Sequence, residues 1–393
     1  MTTNVDSSSH EILENARALA PKIRESAAAI EQGRRLPLEL VGAMKEAGIF
    51  GMTMPRAWGG PELDPLMQIR VIEALAEADG SVGWCAMINS DGGYYGAFLE
   101  EGVAREMYRD REAPTGSSLI FAGRADKVDG GYRVKGRWPF VSGCQHSDWI
   151  AGTCVVYENG APKLIAEGLA ERCVCFIPAA QCEVLDTWHT TGLRGSGSHD
   201  VAIHDVFVPT ERSAAFPFRP RRKEPLYAWP LMFVNNMPGV TLGIARGAIN
   251  TFAELAARKQ TTISMTTGHP VMLRDEAYAQ TVIAQAEALV GSARAYVFEQ
   301  MGDFWTTLQA GQRPSLRQRA TYRLALCYAH RACLEAVEGL YKALGGSSVY
   351  ASGPFDRPLR DLITINQHTV ISLKLHETIG KILLGYDLHD ALL

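Results

Sequence analysis

The chain of 393 residues lacks long apolar runs, an excess of charge of either sign, and any clustering of its eight cysteines. No stretch approaches the roughly 18 to 20 apolar residues that span a bilayer, so no membrane-spanning helix is expected. Lys plus Arg number 39 against 43 Asp plus Glu, a formal charge of -4, which leaves no basic field to draw the chain to nucleic acid or anionic lipid. The cluster "RPRRKEP" (Arg219 to Pro225) is local and reads as a solvated loop. The cysteines form no CxxC pair and no metal-type Cys/His spacing, and no two histidines flank a carboxylate at helical spacing as in zinc hydrolases. No metal site is expected. Scattered thiols fit a reducing compartment, and "MTTNVDSSSHEILENARAL" lacks the basic start and apolar core of a secretory signal, so the expected location is the cytoplasm.

Several catalytic signatures are also missing. No GxGxxG follows a strand and no GxxxxGK[ST] occurs, which removes the nicotinamide-binding unit and the P-loop. No GxSxG occurs either, so the nucleophile elbow of an α/β-hydrolase has no candidate.

What is present is a folded chain: 47% apolar and 21% charged residues, at a length that exceeds a single core. Apolar residues recur at helical spacing from Ile12 to about Ala29 and again through Leu40, Val41, Met44 and Ala47. After the turn "PRAWGGPELDP", Asp64 and Pro65 predict an N-cap and first helical residue for "LMQIRVIEALAEA". Past Thr115 the texture changes to short Val-, Ile-, Tyr- and Trp-rich runs punctuated by Gly and Asp-Gly, which predict a β domain ending near Pro209. From Met232 onward the chain reads as helical again, around Ile244 to Ala257, Ala277 to Met301 and Leu316 to Leu344, with Lys259 to Asp275 as a loop. The expected organisation is a helical domain (1–114), a β domain (115–212) and a helical bundle (213–393). Two Gly-rich stretches leave alternatives open. "GLRGSGSHD" (Gly192 to Asp200) is either a turn before a strand or a loop offering N–H groups to a ligand, and "GGSS" (Gly345 to Ser348) is either a helix C-cap or a close approach to phosphate. The residues alone do not reach a reaction.

The order of these pieces resembles the acyl-CoA dehydrogenase superfamily, an α+β fold with a helical domain, a small β-barrel-like domain and a C-terminal four-helix bundle, and a flavin between the last two. The resemblance covers nearly the whole chain. It is carried by "MPRAWGGPELD" (Met54 to Asp64), "GRWPFVSGCQHSDW" (Gly136 to Trp149), "GLRGSGSHDVAIHDVFVP" (Gly192 to Pro209) and "ALGGSSVY" (Ala343 to Tyr350). The second mark, with "DTWHTTGLRGSGSHDV", is most similar to the oxygen-using branch, the flavin-dependent two-component monooxygenases. That branch includes hydroxylases of phenols and steroid-derived phenols, dibenzothiophene monooxygenase, indole oxygenases and amino-sugar N-oxygenases. The resemblance implies reduced flavin (FADH2 or FMNH2) from a separate NAD(P)H-dependent reductase, and O2. It also implies a flavin C4a-(hydro)peroxide, a small aromatic substrate that is indole-like or phenolic, and a homotetramer or homodimer.

The same resemblance places the site residues. One subgroup of the dehydrogenases carries its catalytic glutamate after an Arg-Asp pair; laid on Arg360-Asp361, that pattern puts Thr369 at the glutamate's place and His368 beside it. Neither threonine nor a neutral amide can abstract an acidified C–H proton, so His368 is read as the group that protonates or orients the peroxide or takes a proton from the substrate. Glu254, the only acid in "GIARGAINTFAELAAR", is the alternative base of an acyl-CoA dehydrogenase, the competing enzyme reading. The family's "LTEP" loop is replaced by "SSLIFAGRADKVDGG" (Ser117 to Gly131), which disfavours that reading. N- or S-oxygenation within the same branch and a flavin-free scaffold are further alternatives. Ser142 matches the hydroxyl that meets flavin N5. Phe140, Trp188, Arg194, Ser196, Arg258, Gly345 and Gly346 match flavin-bordering positions. Trp84, Asn89, Asp91 and Tyr94 in "GWCAMINSDGGYYGAFL", together with His146, are the candidate substrate contacts, with core packing as the competing reading of the first four.

Overall fold

A computed structural model describes residues 7–230, 232–261 and 267–388; part of the expected loop Lys259 to Asp275 lies outside them. The chain divides into two compact units, one of residues 1–68, 84–190 and 194–234, the other of residues 69–83, 191–193 and 235–393.

The N-terminal region is helical: α1 (Ser7–Ala18), α2 (Ala20–Gly33), α3 (Leu38–Glu46), α4 (Pro65–Ala78), α5 (Gly80–Asn89), α6 (Gly92–Gly96) and α7 (Glu101–Met107). The expected single helix from Ile12 is two helices, because Pro21 has no N–H to continue the ladder and instead opens α2. Asp64 does cap α4: its Oδ1 accepts from Met67 N at 2.8 Å.

The sheet of the first unit runs in the order β10-β7-β3-β1-β2-β9-β8. Its strands are β1 (Thr115–Val128), β2 (Gly131–Trp138), β3 (Trp149–Glu158), β7 (Arg172–Pro178), β8 (Glu183–Leu185), β9 (Asp200–Pro209) and β10 (Ser213–Phe216). Short β4 (Ala161–Pro162) pairs with β3, while β5 (Leu164–Ala166) and β6 (Leu169–Ala170) form a separate ribbon. All ladders in the main sheet are antiparallel except β1 with β3. The sheet core centres on Trp138, fully buried and donating from Nε1 to Thr153 O at 2.7 Å. Gly123 is required beside it, since a Cβ there would strike the indole ring. Strand β10 carries the sheet past the expected end at Pro209, paired antiparallel with β7.

The second unit is built on α8 (Met237–Ala256), α9 (Ala277–Gln309), α10 (Leu316–Ala343), α11 (Asp356–Ile365) and α12 (Leu375–Leu383). Ser315 and Gln318 form a capping box at the start of α10. Gly239, Gly243 and Gly247 lie in one row along α8, and a Cβ on each would strike the carbonyl oxygens of Ile69, Glu73 and Glu77 in turn. The partners ascend together, so α8 and the 69–78 stretch of α4 run parallel at close backbone contact. Arg294 donates from Nε to the Glu73 carboxylate at 2.8 and 3.1 Å, and Asn250 Nδ2 donates to Glu77 Oε1 at 2.9 Å. No helix among the described residues is long and apolar enough to cross a membrane.

Overpacking a filled helix interface costs about 1–3 kcal/mol. Gly243→Leu is therefore expected to lower the unfolding free energy of the helical unit, measured in urea, by that much; an unchanged value would contradict the close packing.

Candidate functional site

In the first unit the turn after β2 and the loop before β9 are laced together. Val141 N donates to His199 O at 3.1 Å and Gly143 N to Ser196 O at 2.8 Å. Ser142 therefore sits in a turn, not in the strand its neighbours suggest, and is only 5% exposed. Its Oγ accepts from Trp84 Nε1 at 2.9 Å and shares a hydrogen bond of 2.7 Å with Ser198 Oγ, which shares another of 2.7 Å with Ser196 Oγ. Because the indole N–H can only donate, its bond into the row is fixed, while the three hydroxyl protons remain free to turn.

Asn89 holds this turn from below. Its Nδ2 donates to Ser142 O at 3.1 Å and to Thr115 O at 3.3 Å, which leaves Oδ1 as the acceptor for His146 Nε2–H at 3.0 Å. Burial, with the Lys45 charge second, pushes the His146 imidazole down to about 4, so it is neutral and donates. Gly143 at φ +69° has no room for a Cβ, which would strike the Asn89 amide.

Phe140 is 60% exposed, edge-on to Trp188 at 6.2 Å, and held at φ +62°. A non-glycine residue in that region costs of order 1–2 kcal/mol, a strain found preferentially at functional sites. The loop carrying Trp188 is fixed by groups that sequence reasoning missed. Buried His199 accepts at Nδ1 from Thr187 N and Trp188 N, each at 3.2 Å, and Arg34 donates to both Asp186 oxygens at 2.6 and 3.1 Å and to Trp188 O at 3.2 Å. Arg194 turns to Glu31, its Nε donating to the backbone oxygen at 3.4 Å. Tyr94 pairs with Gln68 at 3.0 and 3.1 Å. Asp91 is buried with no hydrogen-bond partner at Oδ1 among the described residues, and burial pushes its carboxyl well above the usual range.

The second unit holds the remaining candidates. His368 caps the short turn Thr369–Ile371, its Nδ1 accepting from Val370 N at 3.4 Å, so the neutral ring carries its proton on Nε2. Burial first, then the charge of Arg323, push it down to about 4. It is neutral at pH 7. Arg323 Nη1 donates to Val370 O at 3.3 Å, behind the same turn. The preceding Asp361 is buried and accepts from Leu193 N at 2.6 Å, so that carboxylate is committed to backbone. Glu254 is 70% exposed and lies 3.6 Å from Arg258, itself 78% exposed; neither is enclosed as a proton-abstracting base would be. Lys259, not read in the sequence, reaches back to Leu344 O at 2.7 Å and to Ser347 Oγ, beside exposed Gly345 and Gly346.

Of the missed residues, Ser198 stood in plain sight in "GSGSHD", at the alternate spacing that stacks hydroxyls. Arg323 and His330 interrupt the Ala-rich face of α10 at i and i+7, a signal that periodicity analysis passes over as core.

The chain matches the family models "Acyl-CoA dehydrogenase, C-terminal domain" over residues 237–373 and "Acyl-CoA dehydrogenase, N-terminal domain" over residues 7–104. It is 30% identical over 358 residues to indole-3-acetate monooxygenase of Pseudomonas putida, covering 90% of this chain and 89% of that protein. This chain belongs to the acyl-CoA dehydrogenase superfamily, in its flavin-dependent monooxygenase branch. It is 28% identical over 394 residues to the FADH(2)-dependent resorcinol hydroxylase, oxygenase component, of Rhizobium sp. strain MTP-10005, covering 94% of this chain and 93% of that one. The crystal structure of 3-HSA hydroxylase from Rhodococcus sp. RHA1 superposes with a TM-score of 0.88 at 26% identity, covering 98% of this chain and 99% of that one.

A histidine whose folded value lies below its unfolded one of about 6.5 contributes stability above that pH and loses it as pH falls towards 4. Buried Asp91 and Glu112, both raised, act in the opposite direction, so the test is a difference. Between pH 6.5 and 5 the parent is expected to lose about 2 kcal/mol more unfolding free energy than His146→Gln. Equal changes would show that His146 is not held neutral.

Proposed function

We propose that the chain is the oxygenase component of a two-component monooxygenase, taking reduced flavin from a separate NAD(P)H-dependent reductase and inserting one atom of O2 into a small aromatic molecule, indole-like or phenolic. The observation that carries this reading over acyl-CoA desaturation is the position after Arg360-Asp361. It holds His368 and Thr369 and no carboxylate, while the alternative acid, Glu254, is a surface residue in an ion pair. Without a base held against a C–H bond, the family's dehydrogenation chemistry has no proton acceptor.

The residues present fit a flavin. The exposed Phe140 face, kept at the expense of backbone strain beside Trp188, suits the edge of an apolar ring system, and the Ser142–Ser198–Ser196 row supplies hydroxyls whose protons can be redirected. Reduced flavin, when bound, supplies the activation of O2. Ser142 is assigned to the flavin N5 position, with its own proton available because Trp84 occupies one of its lone pairs. Lys259, Gly345 and Gly346 suit the phosphate end. Neutral His368 donates a hydrogen bond from Nε2–H to an oxygen atom and so orients it, and its burial limits the water that would otherwise divert reducing equivalents to hydrogen peroxide. Asn89, with Trp84 and His146, sets the polar wall that a substrate meets. The eight free cysteines suit the cytoplasm, and assembly as a homotetramer or homodimer accords with the superfamily.

The test supplies chemically reduced FAD or FMN with indole and with phenol, and measures oxygenated product and free hydrogen peroxide. His368→Ala is expected to cut product at least 10-fold while still binding flavin. Ser142→Ala is expected to raise peroxide released per flavin consumed several-fold. Unchanged product in the first variant would remove His368 from the chemistry, and an unchanged peroxide yield in the second would remove Ser142.

A further inference from the structure

Among the described residues of the second unit, buried polar atoms without a hydrogen-bond partner include Nδ2 and Oδ1 of Asn236 at the start of α8, Oγ1 of Thr241 on α8 and Nε2 of His330 on α10. Asn236 and His330 are each 1% exposed and Thr241 is fully buried. Buried donors and acceptors in folded proteins are nearly always met, so four unmet atoms on neighbouring elements point to an occupant.

Their positions follow from the helix register. Tyr322 Oη donates to Asn235 O at 2.9 Å, and Lys259 Nζ donates to Leu344 O at 2.7 Å. Both partners ascend together, so α8 and α10 run parallel with Asn236 level with Arg323. Thr241 then lies within about a turn of His330, and the seam from Asn236 to His330 is about 10 Å long, the length of a fused bicyclic ring with a substituent. On α8, Thr241 falls on the side opposite the Gly239–Gly243–Gly247 row that packs against α4, as about 100° per residue requires. On α10, Arg323 and His330 share one face two turns apart.

The chemistry of His330 is fixed. Its Nδ1 lies 2.8 Å from Leu326 O, and a carbonyl only accepts, so Nδ1 carries the proton and Nε2 presents a bare lone pair. The ring is buried in the same neighbourhood as His368, whose charge would be felt by it, and burial pushes His330 down to about 4. A neutral acceptor of this kind calls for an N–H or O–H donor, whereas Asn236 and Thr241 offer both donor and acceptor.

We propose that this seam recognises the polar groups of the substrate, His330 Nε2 accepting a hydrogen bond from a ring N–H or O–H, and Asn236 with Thr241 serving a second polar substituent of the same molecule. The proposal rests on the reading of the chain as an aromatic oxygenase and narrows its substrate class to rings that carry a donor.

The experiment compares indole with 1-methylindole and phenol with anisole as substrates of the parent, His330→Leu and His330→Gln, each supplied with reduced flavin and checked for folding by circular dichroism. In the parent, kcat/KM for the donor-bearing ring is expected to exceed that for its methylated partner by ~10² or more, since a site built around a buried acceptor leaves that acceptor unpaired with the wrong ligand. His330→Leu is expected to bring the ratio to within several-fold of one. His330→Gln, whose amide oxygen still accepts, is expected to keep most of it. A parent that oxygenates both members of each pair equally, as it would if the seam held only water, overturns the inference while leaving the proposed function standing. So does a ratio that survives in His330→Leu. A parent that oxygenates none of the four rings overturns the proposed function, and this inference with it.

Discussion

The side-chain amide of Asn89 is the constraint on which the polar cluster of the first unit depends. One residue satisfies the carbonyls of Ser142 and Thr115 and accepts from His146, which ties the turn between β2 and β3 to the first residue of β1. That arrangement explains why residue 143 must be glycine and how the turn is held with Ser142 facing inward onto Trp84 and Ser198. It also explains how Phe140 can be kept at positive φ, since a strained residue persists only where its surroundings over-determine it.

In the second unit the governing effect is desolvation. His330 and His368 are both neutral because burial outweighs every favourable contact with a charged form, and the nearby Arg323 reinforces this for His368. Neutral imidazoles have defined tautomers, so each presents one donor and one acceptor in a known place. The position after Arg360-Asp361 offers an imidazole and a hydroxyl but no carboxylate. Close parallel packing of α8 against α4 runs through the glycine row on a different pair of helices from those that carry the two imidazoles.

The helix–sheet–helix order was legible because hydrophobic period is a local property. It showed the start of α9 and both ends of α10 to within a residue, but α8 begins seven residues before the expected Ile244 and α9 runs eight residues past the expected Met301. The break at Pro21 was equally local and was passed over because the apolar face of α1 continues in phase into α2. Ser142 is a different case: "PFVSG" has strand composition, and only the long-range bonds from the 194–199 loop make it a turn. His368 was found through family resemblance, yet its neutrality was invisible, because burial depends on helices far away in sequence. His330 and Asn236 were missed for the same reason; nothing near either one marks it as unpartnered. The row Gly239, Gly243, Gly247 was readable in "GVTLGIARGA", but only a partner backbone gives that spacing meaning.

The most direct measurement mixes the anaerobic protein carrying reduced FAD, or reduced FMN, with oxygenated buffer in a stopped-flow spectrometer and follows absorbance from the near ultraviolet through the visible band of oxidised flavin. The account expects a near-ultraviolet band that forms before the oxidised-flavin spectrum and decays more slowly than free reduced flavin is oxidised, with one of the two flavins clearly preferred. Direct oxidation at the rate of free flavin, with no preceding band for either, would contradict the oxygenase reading and return the chain to acyl-CoA chemistry.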